Sequence, residues 1–249
     1  MKIYHYTSIE TLGLILESQK IRFSRLDTVD DPEEYGFTFE GHEPAKHVFI
    51  SCWSKNQYES IPQWLIYGNK KHGVRIEVDD NLFDIDQTER YTQLTASKEF
   101  WNKGIILLPF TSAGFLQDLV YVDAPKDYYS NIFQNINNET AVDYKEIGLY
   151  KSKDWKFQKE CRFKIYAGPK ELLGDPIATL NYIVNNDKYL TNTYIDIPVK
   201  KDAFEGMSIT LGPEISKAEE IIVQSICNKY LTKYEIHKSI FSNKYVINS

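Results

Sequence analysis

Residues 153–165 alternate in chemistry in a way that an extended strand can use and a helix cannot. Read as one strand, they send Phe157, Cys161, Phe163 and Ile165 to one face, with Lys159 the exception. Gln158, Glu160, Arg162 and Lys164 go to the other. That second face lines up an amide, a carboxylate and a guanidinium at two-residue spacing. It has two readings: the solvated side of an edge strand, or the polar wall of a site.

The flanking chain limits the fold further. Residues 3–6 read as a strand, and Thr7-Ser8-Ile9-Glu10 as a capping box. The helix it opens carries Ile9, Leu12, Ile15 and Leu16 at helical spacing. Residues 20–24 return as a strand. His5 is therefore expected at a strand end just before a helix N-terminus, where a polar side chain can meet a ligand. Its plainer reading is a satisfied structural histidine. The dense apolar run 47–54 reads as a central strand, and polar residues 55–60 as a loop. Residues 62–68 read as a short helix with Pro62 in its first turn and with Trp64 and Tyr67 on one face. Residues 73–79 alternate as a strand with Arg75 and Glu77 outward, which puts Ser51 and the Trp64/Tyr67 pair between two strands. Residues 87–103 and 126–149 read as helical, with a strand at 119–122 between them. Strands follow at 194–199, 207–211 and 235–240, and Ser216 caps a helix to about residue 228. Residues 185–190 are poorly patterned.

Strands and helices in this order do not alternate regularly, which excludes a doubly wound sheet or an α/β barrel. G-x-G-x-x-G, G-x-x-x-x-G-K, G-x-S-x-G and H-E-x-x-H are all absent. The expected class is α+β: mixed, largely antiparallel sheets with flanking helices, in a single domain over residues 1–249. A net charge of −6 argues against broad nonspecific binding to nucleic acid. Cys52, Cys161 and Cys227 lie far apart without metal-ligand spacing, and a reducing, cytoplasmic setting is the simplest reading. The first residues do not form a signal peptide, and no apolar run is long enough to span a bilayer. The 18 tyrosines can supply sheet packing or stacking surfaces for a flat ligand. The acidic loop with Asp27, Asp30, Asp31, Glu33 and Glu34 lacks calcium-loop spacing and a histidine. It reads as a solvated cap, or as the metal site of a magnesium-dependent nuclease.

Two groups of residues carry a resemblance. Tyr4-His5-Tyr6-Thr7-Ser8 before a helix, then Ile21-Arg22-Phe23-Ser24, resembles the opening of many ADP-ribosyltransferases, and Gln158-x-Glu160 resembles their Q-x-E or E-x-E motif. More broadly, the chain resembles a bacterial family described as domain of unknown function 2971. The matching pieces include Asp31-Pro32-Glu33-Glu34, Ser51-Cys52-Trp53-Ser54, Trp64-x-x-Tyr67-Gly68 and Gly73-Val74. They continue with Lys153-x-Trp155-x-x-Gln158-x-Glu160-x-Arg162 and Leu211-Gly212-Pro213. In that family the first motif position is more often Glu, where this chain has Gln158.

The resemblance implies an ADP-ribosyltransferase-like fold and an NAD-consuming mono-ADP-ribosyltransferase, or an NAD glycohydrolase with water as acceptor. It implies a toxin or phage-defence role in bacteria. Breaking the bond from ribose to nicotinamide builds positive charge on the ribose, which a carboxylate stabilises. Glu160 is expected in that role, with Arg162 keeping it ionised and Gln158 orienting the acceptor, a protein or a nucleic acid. His5 and Thr7 are expected at the adenosine-side ribose, Arg25 at the pyrophosphate, and Tyr67 or Trp64 against nicotinamide, with Ser51 nearby. NAD is the expected substrate, with no metal. The alternatives are a binding module using the same cleft without chemistry, and the nuclease.

Overall fold

The computed structural model describes residues 1–38, 43–87, 92–109, 115–129, 132–136, 139–142, 144–170 and 189–242. Among these, the strands in chain order begin with β1 (Lys2–Thr7), β2 (Lys20–Arg25), β3 (Val48–Ser54), β4 (Val74–Asp79), β5 (Ile85–Gln87) and β6 (Thr92–Leu94). They continue with β7 (Ile105–Pro109), β8 (Leu116–Asp118), β9 (Val120–Val122), β10 (Phe133–Ile136), β11 (Glu139–Val142) and β12 (Tyr150–Ser152). The last four are β13 (Glu160–Pro169), β14 (Tyr194–Pro198), β15 (Met207–Leu211) and β16 (Tyr234–Lys238). The helices are α1 (Ile9–Ser18), α2 (Ile61–Ile66), α3 (Ser97–Asn102), α4 (Pro125–Tyr129) and α5 (Lys217–Tyr230).

Ten of these strands build one sheet in the order β14-β2-β3-β1-β4-β15-β16, with β13 beside β3 and with β7 and β8 beside β13. Its pairings are antiparallel except that of β15 with β16. The class is α+β.

β13 is central, not an edge: β3 pairs along one side of it and β7 and β8 along the other, and both of its faces are packed. Cys161, Phe163 and Ile165 join Phe49 and Trp53 in the larger apolar core. On the other face Leu26, Val48, Ile50, Tyr129 and Ile147 form a smaller cluster. Lys164, on this second face, is fully buried, and its ammonium donates to the carbonyl oxygens of Lys145 and of Ile147, the latter at 2.9 Å. Nor does the strand reach back to residue 153. Lys153–Gln158 is a 3-10 helix capped by the Ser152 hydroxyl, which accepts from the Asp154 amide. Lys159 ends it in the left-handed region at φ 44°.

α1 buries Ile9, Leu12, Ile15 and Leu16, as their spacing requires. Its cap is Ser8, whose hydroxyl accepts from the Thr11 amide at 3.1 Å, so Thr7 stays in β1 opposite Val74. His5 consequently sits inside the strand, opposite Ile76. α5 opens with a complete capping box between Ser216 and Glu219.

Two expected helices are overturned. Residues 87–103 hold β6 and the short α3, and residues 126–149 hold the end of α4 and the β10–β11 ribbon. Short strands and one-turn helices leave too few residues for either period to show. Arg75 is not outward: its guanidinium lies 4.1 Å from the Tyr4 ring centroid and donates to the Gln57 carbonyl. Of the poorly patterned segment, residues 185–188 lie outside the described residues.

Gly73 and Gly212 explain two of the motif positions. A Cβ on Gly73 would stand 2.2 Å from the Thr7 carbonyl oxygen, and one on Gly212 2.1 Å from that of Lys71. The Gly212 amide donates to the Gly73 carbonyl at 2.9 Å, so three backbones meet here with no room for a side chain. Among the described residues no helix is long and apolar enough to cross a membrane.

Candidate functional site

A strand has two edges, and β13 takes one edge of β3 over its whole length. β1 and β2 therefore share the other. β2 pairs at Phe49 and Ile50, and β1 at Ser54. Between them Ser51, Cys52 and Trp53 have no strand partner on that side, and the sheet is open.

His5 reaches into the opening. Its Nδ1 donates to the Cys52 carbonyl at 3.0 Å, and its ring lies 5.1 Å from that of Trp53. Burial pushes its pKa down against that hydrogen bond, so the ring is neutral at pH 7 and Nε2 is left as an acceptor.

A cavity of about 560 Å³ occupies the opening, within the range of small-molecule sites. Residues from both faces of the sheet line it: Ser51 and Trp53 project to one face, Cys52 and Ser54 to the other. One wall carries Thr11, Leu14 and Ser18 from α1, and the opposite wall carries Gln158, Glu160 and Arg162.

Glu160 and Arg162, with Lys151, which also lines the cavity, and Glu34 behind them, form a closed ring of four buried charges. Glu160 Oε1 accepts from Arg162 Nε at 2.5 Å, and Oε2 accepts from Lys151 Nζ at 2.8 Å. Glu34, fully buried, closes the ring with Oε2 at 2.5 Å from Arg162 Nη1 and Oε1 at 3.2 Å from Lys151 Nζ. The Glu34 contacts lack hydrogen-bond alignment and act through charge; Arg162 Nη1 donates instead to the Gly148 carbonyl at 3.0 Å. Two carboxylates and two cations leave no net charge inside, the condition under which such a cluster is tolerated.

Burial alone would raise the Glu160 pKa. Arg162 and Lys151 outweigh it and hold the carboxyl down at about 2. Burial and the nearby Glu160 carboxylate push the Cys52 thiol well above its usual range, so it is no nucleophile at neutral pH. A carboxylate offers about four acceptor positions, and the two donors Arg162 and Lys151 leave room for a ligand hydroxyl.

The end of the 3-10 helix is fixed as firmly. The Gln158 carbonyl accepts from the Ser54 hydroxyl at 2.7 Å and from Gln63 Nε2 at 3.2 Å. Gln158 Nε2 donates to the Tyr67 hydroxyl at 2.7 Å, and the Glu160 amide donates to the Tyr121 hydroxyl at 2.9 Å. Burial raises the pKa of both phenols, which stay protonated.

The structure thus brings His5, Ser51, Tyr67, Gln158, Glu160 and Arg162 to one cavity. Thr7, Trp64 and Arg25 do not line it. Thr7 is buried in the β1–β4 ladder. Trp64 is buried edge-on against Tyr6 at 4.8 Å and donates to Glu59. Arg25 is clamped by Asp27 at 2.6 and 2.9 Å and by the Leu190 carbonyl at 2.8 Å, so it has no hand free for a pyrophosphate. The acidic loop is dispersed as well. Asp27 holds Arg25, Asp31 caps the Glu33 amide, Glu33 is exposed and Asp30 faces the cavity. Among the described residues no three His, Cys, Asp or Glu side chains stand together as metal ligands.

Glu34, Lys151, Cys52 and Tyr121 went unsuspected as site residues. Glu34 looked like a solvated loop charge, and Lys151 fell between the stretch read as helix and the one read as strand. Glu160 and Arg162 at i and i+2 were the available clue, since a buried ion pair needs further polar partners for the donors and acceptors it leaves over.

Residues 63–163 match the model of a family described as "Protein of unknown function (DUF2971)". No curated protein matches the chain. No solved structure matches it.

Proposed function

We propose that the cleft binds NAD and breaks the bond between its ribose and nicotinamide, passing the ADP-ribose to an acceptor or to water. The observation that carries this reading is the convergence of His5, Tyr67, Gln158 and an ionised Glu160 on one cavity at the break in the sheet. Glu160 stands beside the nicotinamide ribose, where its fixed negative charge stabilises the oxocarbenium-like transition state. Its remaining acceptor position takes a ribose hydroxyl. Tyr67 offers a ring face to the cationic nicotinamide. His5 Nε2 accepts from a hydroxyl of the second ribose, and Gln158 orients the acceptor.

The test is nicotinamide release from NAD by the purified protein. Glu160→Ala is expected to lower it roughly a hundredfold or more. The engagement of both Glu160 oxygens by Arg162 and Lys151 favours a second reading, in which the cleft binds a nucleotide and breaks no bond. Glu160→Gln decides between them. Under the first reading it keeps most of its NAD affinity by calorimetry and loses turnover. Under the second, wild type binds with measurable affinity and releases nothing, with lysate supplied as a source of acceptors.

A further inference from the structure

We propose that Glu34 and Lys151 are positioning residues for Glu160. Lys151 and Arg162 fix its two oxygens at the cavity wall, and Glu34 balances the second cation so that both can stay charged. This rests on the reading of Glu160 as the group beside the ribose.

The ring geometry carries the argument. Arg162 is on the same strand as Glu160 and would suffice as a single counter-ion, through Nε at 2.5 Å. Lys151 comes from β12, outside the main sheet, and takes the other oxygen at 2.8 Å. With both oxygens tethered, the carboxylate plane cannot rotate, and its remaining acceptor position is fixed in direction. A second cation near one carboxylate would leave the interior net positive, a costly state. Glu34 removes that excess from the 3-10 helix Pro32–Glu34, whose N-cap is Asp31. The other groups that face Glu160 are the Cys52 thiol from β3 and the Tyr121 hydroxyl from β9, with Tyr67 and Asp30 further off. Burial keeps the Cys52 thiol and the Tyr121 and Tyr67 phenols uncharged at neutral pH, so the charges in direct contact with Glu160 are those of the ring.

The experiment uses the full chain with Lys151→Met, Glu34→Gln and the double variant, NAD as the probe, and nicotinamide release across pH together with urea unfolding. Lys151→Met is expected to lower kcat roughly tenfold to a hundredfold with KM little changed. Without that cation Glu160 takes up a proton more readily, so the acid limb of kcat moves to higher pH. Glu34→Gln removes an anion and moves the limb the other way. The double variant restores the charge balance and recovers stability, yet Oε2 still lacks its donor, so kcat stays low. A folded Lys151→Met with wild-type kcat and acid limb overturns the proposal. So does a double variant whose kcat recovers in step with its stability, the mark of a merely structural role. Wild-type protein that releases no nicotinamide overturns the NAD reading instead. The Glu160 carboxyl titration, followed by carbon-13 NMR, then decides for Lys151: a higher pKa in Lys151→Met supports its role, and an unchanged one overturns it.

Discussion

Glu33 and Glu34 are neighbours of the same type, and the fold treats them oppositely. Glu33 is exposed, while Glu34 is fully buried between Arg162 and Lys151. Glu33→Ala is expected to change unfolding free energy by no more than about 0.5 kcal/mol. Glu34→Ala leaves two buried cations with one carboxylate and is expected to cost roughly 3–5 kcal/mol, read as a lowered urea midpoint. This pair also marks what was legible. The row Gln158, Glu160 and Arg162 showed itself through period-two alternation, although Gln158 reaches the wall from a 3-10 helix rather than a strand. Nothing in the sequence distinguished Glu34 from a solvated loop charge, because its partners come from distant segments and share no period with it. The burial of Lys164 was unreadable for a related reason. Buried carbonyls satisfy its ammonium, and carbonyls leave no trace in a side-chain pattern.

Elements with their own stop and start chemistry were the readable ones. α5 has its capping box, and β3, β4 and β15 have runs long enough to show their period. Ser216→Ala is expected to cost about 1 kcal/mol and to lower the melting temperature by a few degrees, since it removes the acceptor for the Glu219 amide. Where a short element carries no clear period or cap of its own, its neighbours decide its form. The 3-10 helix before β13 owes its conformation to the surface it covers, and the alternation of its residues was misleading there. Lys159 makes the point at one residue: its left-handed φ lets the chain turn from 3-10 helix into β13, a task usually given to glycine.

At the scale of the molecule, the α+β class followed from the irregular order of strands and helices. The break between β1 and β2 did not, because strand pairing is invisible to a reading of single segments. The ring sets the response of the whole fold to acid. Glu160 has a folded pKa of about 2, below its unfolded value near 4.5, so its stabilising contribution is complete above the unfolded value and is lost as pH falls towards 2. Melting temperature is expected to fall steeply between about pH 5 and pH 2, and Glu160→Gln should flatten that slope in calorimetric scans. The open edge of β3 has a mechanical meaning as well. On one side of it stand β2 and β14, on the other β1, β4, β15 and β16, and within the sheet the two flanks are joined through β3 alone. Load applied across the sheet must pass along that strand, as through the single pier between two spans. A molecule lodged in the opening would serve as a keystone, and its departure would leave the two spans free to rock.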